Sequence, residues 1–346
     1  MEQSIRCGVD IAKLVFQIHG VNAKSGETSM VKKLARNEVL RFYANKPPML
    51  IGIEACGGAH YWARELTKLG HTVKLMTPQY VAPYRRGGKN DANDAEAICE
   101  ALARPNMRFV AVKSEAQQAV LVMHRMRNQW VRERTSLMNQ IRSYLHEFGI
   151  VINQGRAALA KTLPLVAEEE TLPLLFRQSI ADLANILTDL ETRITALNKR
   201  IESWSKQDNT AQALLALCGV GSITASAAVA TAGDVSVFKN GRQFAAWLGL
   251  VPKQNSSGGK TQLGGITKRG DRYLRTLLVQ GARTVMLAAS RAQKSTQTNP
   301  MFEWIYKLQE RRPNNVVAVA IAAKQARMLW AIMAKQQRQD ALGLAT

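Results

Sequence analysis

Four acidic residues in the first hundred positions could bind a divalent metal together. Asp10 and Glu54 each end a short apolar segment, whereas Asp91 and Asp94 are three residues apart in an alanine-rich stretch, so a helix there would place both on one face. Converging carboxylates repel one another unless a hard cation lies between them. Mg²⁺ prefers oxygen ligands and keeps water positions that a phosphate oxygen can take, and two such ions can hold the attacking and leaving oxygens of a phosphodiester. Any one of these acids alone would more often be a cap or a solvated strand end, but the set predicts Mg²⁺- or Mn²⁺-dependent phosphodiester chemistry.

A serine in a glycine-rich loop is a second candidate for chemistry. Ser256 and Ser257 directly precede Gly258 and Gly259. A serine hydroxyl attacks a phosphate only if its proton is removed and the developing negative charge is stabilised. Five cations that follow could supply the second need: Lys260, Lys268, Arg269, Arg272 and Arg275. No histidine lies nearby, so a base or a metal would have to come from elsewhere. As composition alone, this stretch is a flexible turn.

The charge of the chain indicates a nucleic-acid partner. The formal net charge of the 346 residues is +21, and residues 211–346 carry 18 Lys and Arg against five Asp and Glu. A segment this basic repels itself unless a polyanion neutralises it, and nucleic acid, such as the double-stranded DNA of a target, is a stronger candidate for that partner than an anionic membrane surface. A basic segment at 115–148 adds further candidates for backbone contacts, namely Arg125, Arg127, Arg132 and Arg134.

A glycine pair between two helical stretches could bind a phosphate. Gly219 and Gly221 flank Val220 and resemble the turn of a helix-hairpin-helix, in which glycines let backbone N–H groups approach a phosphate at a helix N-terminus. The alternative is an ordinary glycine-containing corner between helices.

The periodicity of the chain predicts an α/β domain followed by helices. Short apolar runs predict strands at 5–10, 14–21, 27–33, 49–53 and 72–76, and helical patterns occur at 36–45, 59–69 and 91–103. We therefore expect a mixed sheet within residues 1–112. A long helix is expected at 115–148 and an irregular connection around Pro164 and Pro173. Within residues 210–346, helices are expected at 210–217, 222–232, 240–247, 271–292, 299–311 and 316–337.

Residues 180–204 form heptads within a predicted middle domain, 113–209. Ile180, Leu187, Ile194 and Ile201 are spaced by seven, as are Leu183, Leu190, Leu197 and Trp204. This spacing is typical of a coiled coil. It is also compatible with an amphipathic helix packed on its own domain, or with an antiparallel pairing with 115–148 in the same chain. The period does not choose between them.

The four cysteines predict neither a disulfide framework nor a zinc site. Cys7, Cys56, Cys99 and Cys218 are scattered without CxxC spacing, which fits a reducing cytoplasm, and we expect four small buried residues. No run of 18 apolar residues predicts a membrane span, and the N-terminal residues lack the pattern of a signal peptide. We expect a cytoplasmic, nucleoid-associated bacterial protein.

The order of these motifs resembles a known family over nearly the whole chain. The segments CGVDIAK, IGIEACGGAH, KNDANDAEAI, LCGVGSITASA, AAWLGLVPKQNSSGGK and ITKRGDRYLR resemble the DEDD transposases of the insertion sequence one-ten family, and within it the eleven-eleven branch. The resemblance implies that Asp10, Glu54, Asp91 and Asp94 form the acidic tetrad and that Ser257 is the nucleophile, with Ser256 as the alternative.

The resemblance also implies an architecture and an activity. It implies an RNase H-fold, RuvC-like domain, a coiled-coil insertion and a C-terminal transposase domain. It further implies a serine-linked DNA intermediate, recombination guided by a structured non-coding RNA of the element, and dimers that pair into tetramers.

Two rival functions remain open. A metal-dependent junction-resolving endonuclease would use only the four acids and water, so replacing Ser257 would leave cleavage intact. A DNA-architectural protein built on the helix-hairpin-helix would need none of the acids, and the spacing of the acids disfavours it.

Overall fold

The computed structural model describes residues 5–88, 90–293 and 299–343. The chain divides into two compact units. The first contains the residues up to Glu115, Ala232–Lys239 and the residues from Gln337 onward, and the second contains Ala116–Thr231 and Asn240–Gln336. The division after Glu115 lies close to the predicted boundary after residue 112. The predicted boundary at 209/210 lies inside the second unit, and the division of that unit into a middle and a C-terminal domain stays a prediction.

The first unit is built on a six-stranded sheet in the order β3-β2-β1-β4-β5-β6. The strands are β1 (Ile5–Ile11), β2 (Val15–Asn22), β3 (Thr28–Ala35), β4 (Leu50–Glu54), β5 (Thr72–Met76) and β6 (Phe109–Val110). Strands β1 to β3 are antiparallel, β4 and β5 continue the sheet parallel to β1, and β6 is an antiparallel edge. The five predicted strands are confirmed, and β6 is additional.

Four helices accompany this sheet: α1 (Val39–Ala44), α2 (Ala59–Lys68), α3 (Pro78–Val81) and α4 (Asp91–Leu102). Alternate strand residues such as Phe16 and Ile51 form the main core with Tyr43 of α1 and Trp62 of α2, as expected where one sheet face is covered by helices.

Two glycines let α4 lie directly on the sheet. A Cβ on Gly8 of β1 would come within 2.2 Å of the Ala95 carbonyl oxygen of α4, which is closer than real Cβ atoms approach, so only glycine there allows α4 to pack at this distance. A Cβ on Gly52 of β4 would lie 3.1 Å from the Leu102 Cδ2 of the same helix, which is also a tight contact. This close packing fixes the start of α4 near the end of β1.

The second unit is mainly helical. Its helices are α5 (Glu115–Glu147), α6 (Arg156–Glu168), α7 (Leu174–Gln207), α8 (Asn209–Leu215), α9 (Ser222–Ala232), α10 (Gly241–Trp247), α11 (Arg272–Ala292), α12 (Pro300–Gln309) and α13 (Asn314–Ala341). A two-stranded hairpin, β7 (Pro252–Gln254) and β8 (Leu263–Ile266), interrupts them.

The prediction of an irregular connection around Pro164 was wrong. Pro164 lies inside α6, whose Leu163 and Val166 are buried in a cluster with residues of α5 and α7. A proline removes one helical hydrogen bond, and burial of the flanking apolar side chains offsets that loss. Pro173 precedes the first residue of α7 and so does not interrupt it.

The heptad residues of α7 are buried within the chain. Ile180 and Leu187 belong to the same cluster as Ile141 of α5, and farther along α7 the Asn198 Oδ1 accepts a 2.6 Å hydrogen bond from Arg127 Nε of α5. The N-terminal part of α5 therefore contacts the C-terminal part of α7, and the C-terminal part of α5 contacts the N-terminal part of α7. This is the antiparallel intrachain pairing that the heptad period left open.

Helix α13 is long and apolar enough, by length and composition alone, to cross a membrane. Its Val317, Ile321 and Leu329 are nevertheless buried in the folded chain, and its buried Gln325 donates a 2.8 Å hydrogen bond to the Cys218 carbonyl. These contacts are those of a core helix.

Candidate active site

Strands β1 and β4 bring two of the four acids to one edge of the sheet. The strands are parallel, and Val9 pairs with Ile53. Asp10 and Glu54, the next residues along each strand, therefore lie side by side at the carboxyl edge. This is the edge at which open α/β sheets commonly bind ligands.

Helix α4 adds the other two acids. Asn90 caps the helix by accepting a 2.8 Å hydrogen bond from the Asn93 N–H. Asp91 and Asp94 occupy its first turn, where the positive end of the helix dipole stabilises negative charge. The close packing of α4 on Gly8 places this turn near the end of β1.

The raised pKa of Asp10 indicates that the four carboxylates lie near one another. Burial and, in decreasing order of size, the negative charges of Asp91, Asp94 and Glu54 together raise it from 3.8 to about 6. Like charges disfavour ionisation only when they are close. The structure thus brings all four acids that the sequence singled out into one electrostatic site.

The residue types of this site fit a hard cation, although their side chains are not close enough together to coordinate one in this structure. Among the residues that the structure describes, no three His, Cys, Asp or Glu side chains are close enough to hold a metal ion. Arg85 supplies a counter-charge instead, because its Nε lies 2.9 Å from the Asp94 Oδ1. An all-oxygen set with mutual repulsion is the donor set that Mg²⁺ prefers. Binding it would require Asp94 to exchange the guanidinium for the cation.

Cys56 is a neighbour of the acids that the sequence did not single out. Partial desolvation by its surroundings raises the pKa of its thiol, and the Glu54 and Asp10 carboxylates raise it further, so the thiol stays protonated. The expectation of four buried cysteines was wrong for two of them, because Cys56 and Cys218 are exposed while Cys7 and Cys99 are buried. Both exposed cysteines lie in loops beside glycines, where no core covers them.

The serine loop forms an ordered hairpin tip. The Asn255 N–H donates to the Gln262 carbonyl at 2.9 Å, and the Lys260 N–H donates to the Ser257 carbonyl at 3.1 Å. Gly258 and Gly259 between them have φ angles of 55° and 76°. Two left-handed residues in a row match the tight hairpin turn that follows the twist of its strands and that glycine accommodates. The flexible turn that composition indicates is therefore a defined structure.

The two serines differ in what their hydroxyl groups do. Ser256 Oγ accepts a 3.3 Å hydrogen bond from the Gln262 N–H, which ties the two arms of the hairpin together, and a 3.0 Å hydrogen bond from Gln254 Nε2 on its own arm. Ser257 is exposed, and its hydroxyl has no hydrogen-bond partner in the described part of the chain. Only Ser257 therefore presents a hydroxyl that is free to meet a substrate.

Comparisons with known proteins match both the segment that contains the four acids and the segment that contains the serine hairpin. A model of DEDD transposases of the IS110 type matches residues 7–150, and the model "Transposase IS116/IS110/IS902 family" matches residues 211–297. A "Probable family 20 transposase" of Pseudomonas aeruginosa is 49% identical over 96% of this chain and 97% of its own length. The "Transposase for insertion sequence element IS1328" of Yersinia enterocolitica is 41% identical over 94% and 95%, and that for IS1111A of Coxiella burnetii is 37% identical over 95% and 90%.

The chain belongs to the IS110 family of DEDD transposases. It is a DNA transposase, an enzyme that cleaves and rejoins DNA. Its mixed α/β first unit is consistent with an RNase H-like transposase, and membership of the DEDD group indicates dependence on a divalent metal.

The cations near the serine hairpin of the transposase fall into two groups. Arg275 Nη1 donates to the carbonyls of Leu248 and Arg269, each at 2.9 Å, and so holds the loop after β8 against the end of α10. Gly249 makes this contact possible, because a Cβ there would lie 2.3 Å from the Arg269 carbonyl oxygen. Lys260, Lys268, Arg269 and Arg272 are exposed, and none forms an ion pair within the described ranges. These four remain available to phosphates.

The two glycines of the predicted helix-hairpin-helix also differ. A Cβ on Gly219, whose φ is +80°, would lie 2.5 Å from the Val285 Cγ2 and 2.7 Å from the Gly281 carbonyl oxygen. Internal packing therefore explains Gly219, not the approach of a phosphate. A Cβ on Gly221 would meet nothing within 4 Å. Gly221 stands exposed before the first residue of α9, and phosphate binding there stays a prediction.

The arginines of α5 are divided in the same way. Arg125 and Arg132 are exposed, whereas Arg127 bonds Asn198 within the unit. Arg134 lines a cavity of about 300 Å³ together with Arg142 and Arg156. The arginines of α5 are thus partly enclosed at 127 and 134 and exposed at 125 and 132, so the helix both packs within the unit and displays positive charge.

Proposed function

We propose that Ser257 is the nucleophile of the transposase and that it works with the acidic cluster of the first unit. The observation that carries this proposal is the free, exposed hydroxyl of Ser257 at a hydrogen-bonded hairpin tip, next to a serine whose hydroxyl is already used. A nucleophile on a turn of defined conformation loses less entropy when it is positioned.

In the proposed reaction, Ser257 Oγ attacks a DNA phosphorus. The Oγ–P bond forms as the bond from phosphorus to one deoxyribose oxygen breaks, and that oxygen takes up a proton while the serine proton passes to a base. The number of phosphoester bonds is unchanged, so the free DNA hydroxyl can later attack the phosphoserine and rejoin the strand. The cations Lys260, Lys268, Arg269 and Arg272 stabilise charge on the phosphate oxygens.

The acids supply what the hairpin lacks. Asp10, Glu54, Asp91 and Asp94 would hold Mg²⁺ or Mn²⁺, which when bound stabilises phosphoryl charge and lowers the pKa of a bound hydroxyl. The acids belong to one compact unit and Ser257 to the other, so the proposed reaction requires both units of the transposase to act on the same DNA.

Cleavage assays on three variants test this mechanism. Ser257→Ala should abolish cleavage of an element-end substrate in Mg²⁺, and Asp94→Ala should do the same while DNA binding persists. Ser256→Ala is the matched control and should retain cleavage, because its hydroxyl only braces the hairpin. Cleavage that survives Ser257→Ala but not Asp94→Ala would instead establish the water-using junction endonuclease.

We further propose, on the family resemblance, that an element-encoded structured RNA guides the transposase. The net charge of +21 and the exposed Arg125 and Arg132 on α5, in addition to the cations of the hairpin region, support a second polyanionic partner. RNA that co-purifies with the full chain should match the non-coding DNA beside the gene and pair with both the element end and the target. Protein that is free of RNA yet still recombines specifically would refute the proposal.

On the same basis we propose that the transposase forms dimers that pair into tetramers. We also propose that it acts at the bacterial nucleoid, in the cytoplasm. Because Ile180, Leu187, Ile194 and Ile201 are buried within one chain, the pairing surface must lie elsewhere than on that stripe of α7. Light scattering of the full chain with and without DNA measures the mass directly. A monomer in both conditions would overturn the assembly proposal.

A further inference from the structure

A second cavity of the helical unit lies at the foot of the serine hairpin. It has a volume of about 690 Å³ and is bordered by α10, β7, β8, α12 and α13. Most of its wall is apolar, with Leu250, Ile266, Val316, Val319 and Trp304 among the lining residues. This size falls within the roughly 300–1,000 Å³ of pockets that hold small molecules or single side groups of larger ligands.

The charged residues in the wall of this cavity all carry positive charge. Arg242 of α10 and Arg327 of α13 line it, and no acid does. The Gly241 Cα faces the Arg327 backbone so closely that a Cβ would come within 3.0 Å of it, which keeps the two arginines on adjoining helices together. Neither guanidinium forms an ion pair within residues 5–88, 90–293 and 299–343. The wall therefore favours an anionic ligand.

An aromatic side chain adds a surface for stacking. Trp304 of α12 lines the cavity, and the Lys324 Nζ lies 4.5 Å from the centroid of its ring. A tryptophan in an apolar wall beside cations fits a ligand with a flat ring and an attached phosphate. Nucleic acid offers that combination, because every base has a π-face on which an aromatic side chain can stack.

We infer that this cavity holds one unstacked nucleobase of the bound nucleic acid, with the adjoining phosphate on Arg242 and Arg327. The inference needs only that the transposase acts on nucleic acid, and it does not depend on Ser257 being the nucleophile. Taking a base out of the stack costs a few kcal/mol, and this cost is least where the base is already unpaired. The cavity therefore selects strands that are distorted or opened.

The position of the cavity gives this capture a role. Pro252 and Ile266, at the foot of the hairpin, line it, and Ser257 follows Pro252 by five residues. Five extended residues span about 17 Å. A base held at the foot would thus fix the nucleic acid within reach of the hairpin tip.

The test compares two DNA duplexes that differ by one unpaired nucleotide. One carries a single bulged 2-aminopurine, and the other is fully paired. The full chain should bind the bulged duplex more tightly and change its 2-aminopurine emission. Trp304→Ala should weaken that binding by about tenfold or more, the scale of one stacked base. Ala323→Phe, which fills the cavity from α13, should remove both the preference and the emission change.

Met328→Phe is the matched control, since Met328 is exposed on α13 and does not line the cavity. It should keep the preference, and all variants should bind the paired duplex as the unmodified chain does. The same bulge in an RNA duplex shows which nucleic acid the cavity serves.

Bulge binding that is unchanged in both cavity variants, with the DNA and with the RNA duplex, would overturn the inference. An equal loss of affinity for the bulged and the paired duplex would also overturn it. So would a loss of oligomer mass in Ala323→Phe when the unmodified chain shows no bulge preference, because that result would assign the cavity to a second copy of the chain. Failure of the unmodified chain to bind any DNA would instead contradict its action on DNA.

Discussion

Replacing Asp10 by asparagine should stabilise the transposase when no metal is present. Burial and three neighbouring carboxylates raise the Asp10 pKa from 3.8 to about 6. That difference corresponds to about 3 kcal/mol of cost to the ionised form. Because Asp10 is only about half buried, solvent screening reduces the effect on unfolding to about 1–2 kcal/mol. Asparagine keeps the shape and removes the charge.

The sign of the pH dependence follows from the direction of the shift. A carboxyl whose folded pKa is raised binds its proton more tightly in the folded state. Its contribution is therefore most favourable below about pH 4 and declines as the pH rises through about 6. Unmodified protein and Asp10→Asn should have similar free energies of unfolding near pH 4. Above pH 6 the variant should be more stable by about 1–2 kcal/mol.

Urea unfolding followed by circular dichroism, in EDTA and at several pH values, measures this difference. Asp182→Asn makes the same chemical change at an exposed position of α7 and should show no such pH dependence. Added Mn²⁺ should then stabilise the unmodified protein and not Asp10→Asn, because a ligand stabilises only the state that binds it. A variant that is less stable than the unmodified protein at pH 8, or a difference that does not change with pH, would refute the account of a shared acidic site.

Three further predictions concern other parts of the structure. Arg85→Gln frees Asp94 from its 2.9 Å ion pair and should tighten Mn²⁺ binding up to about fivefold by calorimetry; weaker binding would show that Arg85 does not compete with the cation. Ile194→Asp buries a charge where α7 packs against its own chain and should lower the free energy of unfolding by more than about 3 kcal/mol. The same change at the exposed Thr195 should not. Dissociation of an oligomer without any loss of stability in Ile194→Asp would favour the intersubunit coiled coil instead. Replacing Lys268, Arg269 or Arg272 by alanine should in each case reduce the slope of log binding constant against log salt concentration by about one. Arg275→Ala should mainly destabilise the fold. The same slope in all four variants would contradict this division.

The sequence predicted the sheet well because its signals are local. Buried strands such as β1 and β4 are short apolar runs that end on an acid, and this pattern needs no tertiary partner to be recognised. The acids at strand ends and in one helical turn could also be expected to meet, since parallel strands end at a common edge. What the sequence does not contain is the contact of α4 with Gly8, which sets how near the acids come.

The features that the sequence left open depend on partners distant in the chain. Pro164 is normally a helix breaker, and only the burial of its neighbours against α5 and α7 keeps α6 continuous. The heptads of α7 specify an apolar stripe but not its partner, which is α5 of the same chain. Likewise, Arg275 and Arg272 belong to one basic motif, but only the folded loop shows that Arg275 is bonded to carbonyls.

The choice between the two serines also required the hairpin. Adjacent residues of the same type cannot be distinguished by composition, and the motif alone left Ser256 as an alternative. The hydrogen bond that Ser256 Oγ accepts from the Gln262 N–H across the hairpin distinguishes them, since it ties Ser256 to the turn and leaves the Ser257 hydroxyl free, which supports the proposed role of Ser257.

The most direct test of the account is to trap protein-bound DNA on the hairpin. The full chain is given Mg²⁺ and end-labelled element-end DNA, denatured during the reaction and digested, and the labelled peptide is sequenced by mass spectrometry. The account predicts DNA esterified to Ser257, an adduct that persists in Ser256→Ala and is lost in Ser257→Ala and in Asp94→Ala. Cleaved DNA without any adduct, from protein that remains active when both serines are alanine, would show that water is the nucleophile.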